Sequence, residues 1–316
     1  MERDRIRRYE QAAELLPPRL RRLALELPDV RKERVEEIRL RVGLPLTVRT
    51  GEGELSVAPA DREALVTEDD MERMIAGVTE YSRYASAEAL RQGYLAVRGG
   101  FRLGVCGTAV MRDGAVSSLK DFSAIALRIV YERIGLGAEL APRLFDERGQ
   151  ARSTLILSPP GGGKTTLLRD LIRCLSLGSA EYRSQRVAVI DERGEIAVSC
   201  GGRAQTELGN HTDVLDGCPK ALGIPMVLRA MAPQVIAVDE IGTAADIEAV
   251  CAAANCGVAL LASIHAADTA ELRRKPLWRD LLAAEVFSRA VVISNVGGER
   301  RYALEEISCS GGLAQD

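Results

Sequence analysis

Residues 153–166 read Ser-Thr-Leu-Ile-Leu-Ser-Pro-Pro-Gly-Gly-Gly-Lys-Thr-Thr: a short apolar run, a glycine-rich turn, then Lys-Thr opening a stretch with helical spacing. Such a run is expected to be a strand, and the residues after the turn a helix. Glycines free backbone N–H groups to converge on one point, which the positive end of the following helix also faces. This is the pattern of a phosphate-cradling loop. It predicts a nucleoside triphosphate, ATP, held by Ser158, Pro159, Pro160, Gly161, Gly162, Gly163, Lys164, Thr165 and Thr166. Lys164 is expected to reach the β- and γ-phosphates and the Thr165 hydroxyl to take a place on Mg2+. One position departs from the pattern, which has glycine where Ser158 stands.

The remaining composition narrows the class. A chain of 316 residues is long enough for two domains of ordinary size. A net charge of −3 exerts no overall pull toward nucleic acid or anionic lipid. The first ten residues are charged throughout and have no apolar core of a secretory signal. The longest charge-free stretch, Ala249–Ala267, is rich in alanine and interrupted by Asn255, Gly257 and Ser263. It reads as a helix ending near Asn255–Gly257 followed by a buried strand Val258–Ile264, so no membrane span is expected. The cysteines number seven and are scattered, which favours reduced thiols over a disulfide framework or a zinc hook.

The first 140 residues read as a smaller α+β domain. Residues 1–40 have helical character broken at Pro17–Pro18, and Glu37–Val57 alternates like a hairpin turning at Gly51–Gly53. Thr67 followed by acidic residues suits an N-cap before a helix over Met71–Val78. Residues 93–110 predict a second hairpin turning at Gly99–Gly100, and Ala124–Val130 a further strand. Gly135–Gln150, with its glycines and Pro142, reads as the linker. Residues 141–316 then alternate strand and helix: strands at 153–157, 186–190, 235–238 and 258–264, helices at 165–176, 219–231 and 243–255. Short apolar runs separated by helices predict an α/β domain with a parallel sheet covered on both faces. Ligands of such sheets sit at the carboxyl ends of the strands.

Those strand ends carry the acids. Val235–Val238 delivers Asp239 and Glu240; Asp239 is expected to orient Mg2+ and Glu240 to polarise the attacking water. Val187–Ile190 delivers Asp191, Glu192 and Arg193, with Glu192 a candidate second carboxylate. His265 follows the strand Val258–Ile264 directly, where an imidazole could donate a hydrogen bond to a γ-phosphate or to Glu240. His211, in a polar loop, reads as structural. A loose phosphoryl-transfer transition state gains from a guanidinium brought across an interface. The candidates for it are Arg98, Arg102, Arg128 and Arg229.

Taken together, Ser158–Thr166, Asp191–Ile196, Thr212–Lys220, Leu228–Gly242 and Ser263–His265 make the chain resemble the secretion or traffic ATPases of type II and type IV secretion and pilus assembly. The likeness is to their stage III sporulation AA branch, and Gly93–Val110 and Ser117–Gly135 extend it over nearly the whole chain. Asp213-Val-Leu-Asp-Gly-Cys-Pro-Lys220 is its most specific segment. Asp239, Gly242 and Pro233–Gln234 depart from the broader superfamily and favour the sporulation branch, as does the lack of a paired-cysteine zinc module. The resemblance implies a RecA-like P-loop ATPase domain in which Lys164, Thr165 and Asp239 are the Walker residues. It makes Glu240 the catalytic glutamate, Asp191–Glu192 an acidic box and His265 a histidine-box residue. It further implies a homo-oligomeric ring, a hexamer. The ring would be cytoplasmic and peripheral at a membrane, driving membrane-embedded proteins of a channel between mother cell and forespore. Two other readings of the residues stay open. One is a nucleic-acid-dependent P-loop ATPase, disfavoured because aromatics make up only 4%. The other is a nucleotide-gated scaffold that barely cycles.

Overall fold

The computed structural model describes residues 2–58, 65–79, 93–297 and 299–307. The chain divides into two compact units: Met1–Tyr131 with Val198–Gln205, and Glu132–Ala197 with Thr206–Asp316.

In the first unit, helices α1 (Glu2–Ala13), α2 (Pro18–Leu25) and α3 (Asp29–Lys32) precede strands β1 (Val35–Arg41), β2 (Thr47–Thr50) and β3 (Gly53–Ser56). Helix α4 (Glu68–Thr79) and strands β4 (Tyr94–Val97), β5 (Phe101–Arg112) and β6 (Ala115–Arg128) follow. The strands form an antiparallel sheet in the order β3-β2-β1-β6-β5-β4. Its core gathers Leu16, Leu20, Ile38, Leu40, Leu103 and Leu127, with Tyr9 donating its hydroxyl to Ala24 O at 2.8 Å. The Thr67 cap forms as expected: Asp70 N donates to Thr67 Oγ1 at 3.2 Å, and Thr67 N donates back to the Asp70 carboxylate at 2.9 Å.

Three sequence expectations change here. The helical reading of residues 1–40 ends at Lys32, because Ile38 and Leu40 take the alternation of a strand. The Glu37–Val57 hairpin is a three-stranded meander. The strand expected at Ala124–Val130 is the end of β6, which starts at Ala115. Residues 115–123 are exposed or half-buried throughout, so no apolar alternation marks them in the sequence.

In the second unit, β7 (Thr154–Ser158) leads into α5 (Lys164–Leu177), then β8 (Val187–Asp191), β9 (Thr212–Asp216) and α6 (Lys220–Met231). There follow β10 (Val235–Val238), α7 (Ala244–Asn255), β11 (Ala259–His265), α8 (Thr269–Arg274), α9 (Pro276–Ala283) and the hairpin β12 (Arg289–Val296) and β13 (Glu299–Glu306). The order is β13-β12-β7-β11-β10-β8-β9, parallel throughout except for β12–β13. Strands β7, β8 and β10 are buried along their whole length, as apolar strands covered on both faces must be. One face packs Ile156, Val189 and Leu261 against the α5 leucines; the other packs Leu157, Ile190 and Val238 with α6, α7, α8 and α9.

The segment read as a linker is bound into this unit. Leu140, Ala141 and Leu144 enter the α5 face of the core. The buried Asp170 carboxylate accepts from Gly135 N at 3.0 Å and Gly137 N at 2.7 Å. Two charge-assisted bonds to consecutive turns leave that stretch little freedom to act as a tether. Among the described residues no helix is long and apolar enough to cross a membrane.

Candidate active site

The site is built where β7 ends and α5 begins. Gly161 and Gly163 adopt φ of 74° and 99°, backbone that other residues rarely take. Helix α5 starts at Lys164 with no side chain capping it, so its first N–H groups remain available to an anion. Ser158 needs no such freedom, since it is the last residue of a buried strand. Its hydroxyl donates to Pro159 O at 2.8 Å and lies where a side chain on Gly162 would begin, 1.7 Å from an ideal Cβ. The departure at Ser158 is thus absorbed by the glycine at 162.

Lys164 is buried to 6% exposure, and its ammonium is fully used. It donates to Ser158 O at 3.0 Å and Pro159 O at 3.2 Å, and contacts His265 Nδ1 at 2.7 Å. An ammonium has donors only, so Nδ1 must accept and the ring proton of a neutral imidazole sits on Nε2. That nitrogen lies 2.7 Å from Glu240 Oε1. His265 therefore links the loop lysine to the strand-tip glutamate. Burial pushes the Lys164 ammonium below the usual lysine pKa, against Asp239 and Glu240, which favour the charged form.

The two acids after β10 diverge. Asp239 Oδ2 accepts from Thr165 Oγ1 at 2.6 Å. Glu240 adopts φ of 54°, a left-handed conformation costly for a residue with a side chain, and it turns its carboxylate away to His265 and to Arg193. Ser263 sets both: its hydroxyl accepts from Glu240 N at 2.9 Å and donates to Asp239 Oδ1. Loop, Lys164, Thr165, Thr166, Asp239, Glu240 and His265 line one open cleft of about 350 Å3, into which Arg300 also projects.

The second acidic pair plays other parts. The Asp191 carboxylate is buried and accepts from the backbone N–H groups of Glu195, Ile196 and Ala197 at 2.8, 3.0 and 2.8 Å. Burial pushes its pKa up, with the three N–H donors opposing. It folds the loop after β8. Glu192 is ion-paired to buried Lys220 in a small adjoining recess that shares Asp239 and Glu240 with the cleft, and it does not line the cleft itself. His211 is held structurally, Nδ1 lying 2.8 Å from Ser176 O.

The finger candidates are scattered. Arg102 stacks its guanidinium on Tyr94 at 4.2 Å and stands opposite Arg128 on the neighbouring strand. Arg128 donates to buried Glu37 at 3.2 Å. Arg98 is exposed after β4, and Arg229 is exposed in the last turn of α6.

Three side chains of the site have no role assigned from the sequence: Glu195, which also lines the cleft, Ser263 and Arg300. Ser263 could have been given one, being a fully buried hydroxyl in an apolar strand. Arg300 could not, because only the folding of the β12–β13 hairpin brings it to the loop.

The family "Sporulation stage III, protein AA" matches residues 6–303. Stage III sporulation protein AA of Bacillus subtilis (strain 168) is 34% identical over 289 residues, 91% of this chain and 92% of that protein. Among solved structures, the pilus retraction motor PilT with bound ADP aligns at a TM-score of 0.59 and 21% identity, covering 87% of this chain and 80% of that one. The Legionella pneumophila ATPase DotB aligns at 0.55 and 20%, covering 86% and 76%. Identities this low show the fold alone: an α/β P-loop domain with a parallel sheet, within a two-domain architecture. Matched in sequence over nearly its full length, the chain belongs to the sporulation stage III protein AA family.

Proposed function

We propose that this chain is a Mg2+-dependent ATPase and the motor of a secretion-like complex acting in endospore formation, at the channel between mother cell and forespore. One observation carries the reading: Lys164, His265 and Glu240 form a single hydrogen-bonded line beside an uncapped loop-helix junction, while Thr165 meets Asp239 next to it. The loop residues 158–166 would hold the phosphates of ATP. Lys164 would leave the Ser158 and Pro159 carbonyls for the β- and γ-oxygens, stronger charge-assisted partners.

Thr165 and Asp239 supply two oxygens converging within 2.6 Å, a donor set that suits a hard cation. These two residues would hold Mg2+, which neutralises charge on the phosphate oxygens. Glu240 would take the proton of the attacking water as the new P–O bond forms and the bond to the β-phosphate oxygen breaks. Its partners aim it: His265 holds Oε1 and Arg193 holds Oε2. The Arg193 side chain is 58% exposed, so that contact is screened and easily released. Glu192, neutralised by Lys220, would order water beside Glu240 rather than compete for its proton.

Burial of Lys164 gives the reading a pH signature. Its folded pKa lies below the ordinary value, whereas bound phosphates favour the ammonium and raise it. Between the two pKa values, binding must take up a proton, so ATP affinity falls as pH rises through that window. Calorimetry in two buffers of different ionisation enthalpy should show net proton uptake there and none at pH below both values.

The reading extends to assembly: a homo-oligomeric ring, a hexamer, peripheral at a membrane on the cytoplasmic side and contacting membrane-embedded channel proteins. Arg102 or Arg128 of one subunit would meet the γ-phosphate held by the next. Calorimetry with MgATP, phosphate release and light scattering on the full chain test all of this. Retained MgATP, slow turnover and a nucleotide-dependent ring are the expected results. Properly folded protein that retains no MgATP would end the reading, and full turnover in a monomer at every concentration would end the ring. Steeply salt-dependent stimulation by single-stranded nucleic acid would replace the motor with a strand-gripping ATPase.

A further inference from the structure

Arg300 lies just after the turn between β12 and β13, in a stretch that no sequence motif marks. Strand β12 runs parallel to β7, with Val292 paired to Leu157, so the hairpin rises beside the glycine-rich loop. On β13, alternation puts Arg300 on the face of Tyr302 and Leu304, which pack on the α5 side of the core. The guanidinium therefore stands over the start of α5. An ideal Cβ on Gly163 would fall 2.9 Å from its Nη1 and Cζ, so the tip of the arginine lies directly against the loop. Glycine at 163 is called for by its left-handed φ of 99°, whereas the arginine tip is free to shift.

The charge of Arg300 is unspent. At the far end of the hairpin Arg289 pairs with Glu306, as does Arg152, but among the described residues Arg300, which stands opposite Asn295, has no carboxylate partner. An exposed, uncompensated guanidinium against a phosphate-type loop offers two parallel donors to an anion.

Sheet order says which part of the anion. Strand β7 lies between β12 on one side and β11 and β10 on the other. Glu240, Asp239 and His265 all come from the β11–β10 side, where the terminal phosphate and water belong. Arg300 comes from the opposite side. We infer that Arg300 binds the nucleotide in cis, donating to α- or β-phosphate oxygens that ATP and ADP share. This rests on the ATPase reading above and adds to it a residue and a ligand moiety.

The test compares the full-length wild type with Arg300→Ala, Arg300→Lys and the neighbouring Arg301→Ala, whose side chain points to the other face. Calorimetry gives Kd for MgATP and MgADP, and phosphate release gives kcat at saturating ATP. Loss of a charge-assisted contact at an open site should weaken both nucleotides about 10-fold in Arg300→Ala, leaving kcat within about twofold. Arg300→Lys should recover only part of the affinity, because a point charge cannot make the paired contact. Arg301→Ala should match the wild type. Unchanged affinities in both Arg300 variants would overturn the inference while leaving the ATPase reading intact. Weakened ATP with normal ADP and a reduced kcat would overturn it too, by moving the guanidinium to the γ-phosphate. Wild-type protein that binds neither nucleotide would overturn both readings. Since Arg300 is exposed, its removal should not unfold the chain, and Arg300→Lys covers the case in which it does.

Discussion

Glu240→Gln should lower steady-state ATP hydrolysis by about 10²–10³-fold while leaving MgATP affinity within about threefold of the wild type. The substitution keeps the shape and one carbonyl-type acceptor, so the contact from His265 Nε2, 2.7 Å in the parent, can persist. The positive-φ turn at Glu240 and the Ser263 hydroxyl that receives its N–H are backbone features, which the side-chain change does not touch. Only the ability to take a proton is lost. General-base catalysis contributes about two to four orders of magnitude, and the lower part of that range is expected here because the parent carboxylate also carries Arg193. Phosphate release under saturating ATP measures the rate, and calorimetry on the same preparation measures the binding. A variant that turns over at the wild-type rate would remove Glu240 from the chemistry and direct attention to Glu192.

What the sequence disclosed of this site follows from how local each feature is. The loop, its strand and its helix are contiguous, so Ser158–Thr166 could be read from composition and spacing alone. Asp239, Glu240 and His265 were reachable because each ends an apolar run, and runs in a parallel sheet present their carboxyl ends on one edge. Their mutual contacts were not, since the side-by-side placement of β7, β11 and β10 is a matter of strand order that no local pattern encodes. Asp191 shows the limit from the other direction. As a strand-tip acid beside Glu192 it looked available for chemistry, yet three backbone N–H groups occupy it. The β12–β13 hairpin is harder to read for a related reason: Gly297-Gly298 is a hairpin signal, but the arm Glu299–Glu306 is exposed or half-buried throughout and carries no apolar alternation to mark it as a strand. In the first unit, α4 was legible from its cap, whereas the outer half of β6 was not, because neither of its faces is buried.

Lys164→Ala should act on the other half of the problem, weakening MgATP by about 100-fold or more and abolishing turnover through lost binding. The side chain is nearly sealed from solvent at 6% exposure, and its ammonium is the loop's only cation at hydrogen-bond distance from His265. Truncating one member of a buried, hydrogen-bonded charge pair costs about 2–5 kcal/mol, which is the origin of the expected factor. The fold should tolerate the change. Removing a desolvated charge relieves the burial cost that depresses its pKa, and this offsets the loss of two bonds to the Ser158 and Pro159 carbonyls. Lys164→Arg should not restore affinity, because a planar guanidinium cannot place its charge as the compact ammonium does, within reach of Ser158 O, Pro159 O and His265 Nδ1 together. Thermal denaturation checks this without any activity assay. MgATP at about 100 times Kd stabilises a binding-competent protein by about 2.7 kcal/mol, several degrees in Tm for a chain of this size. Wild type and Glu240→Gln should both show that rise, and Lys164→Ala should show none. A rise in Lys164→Ala equal to that of the wild type would mean that the nucleotide is held elsewhere. The contrast between the two variants separates grip from cleavage, which the hydrogen-bonded line from Lys164 through His265 to Glu240 joins in the resting site.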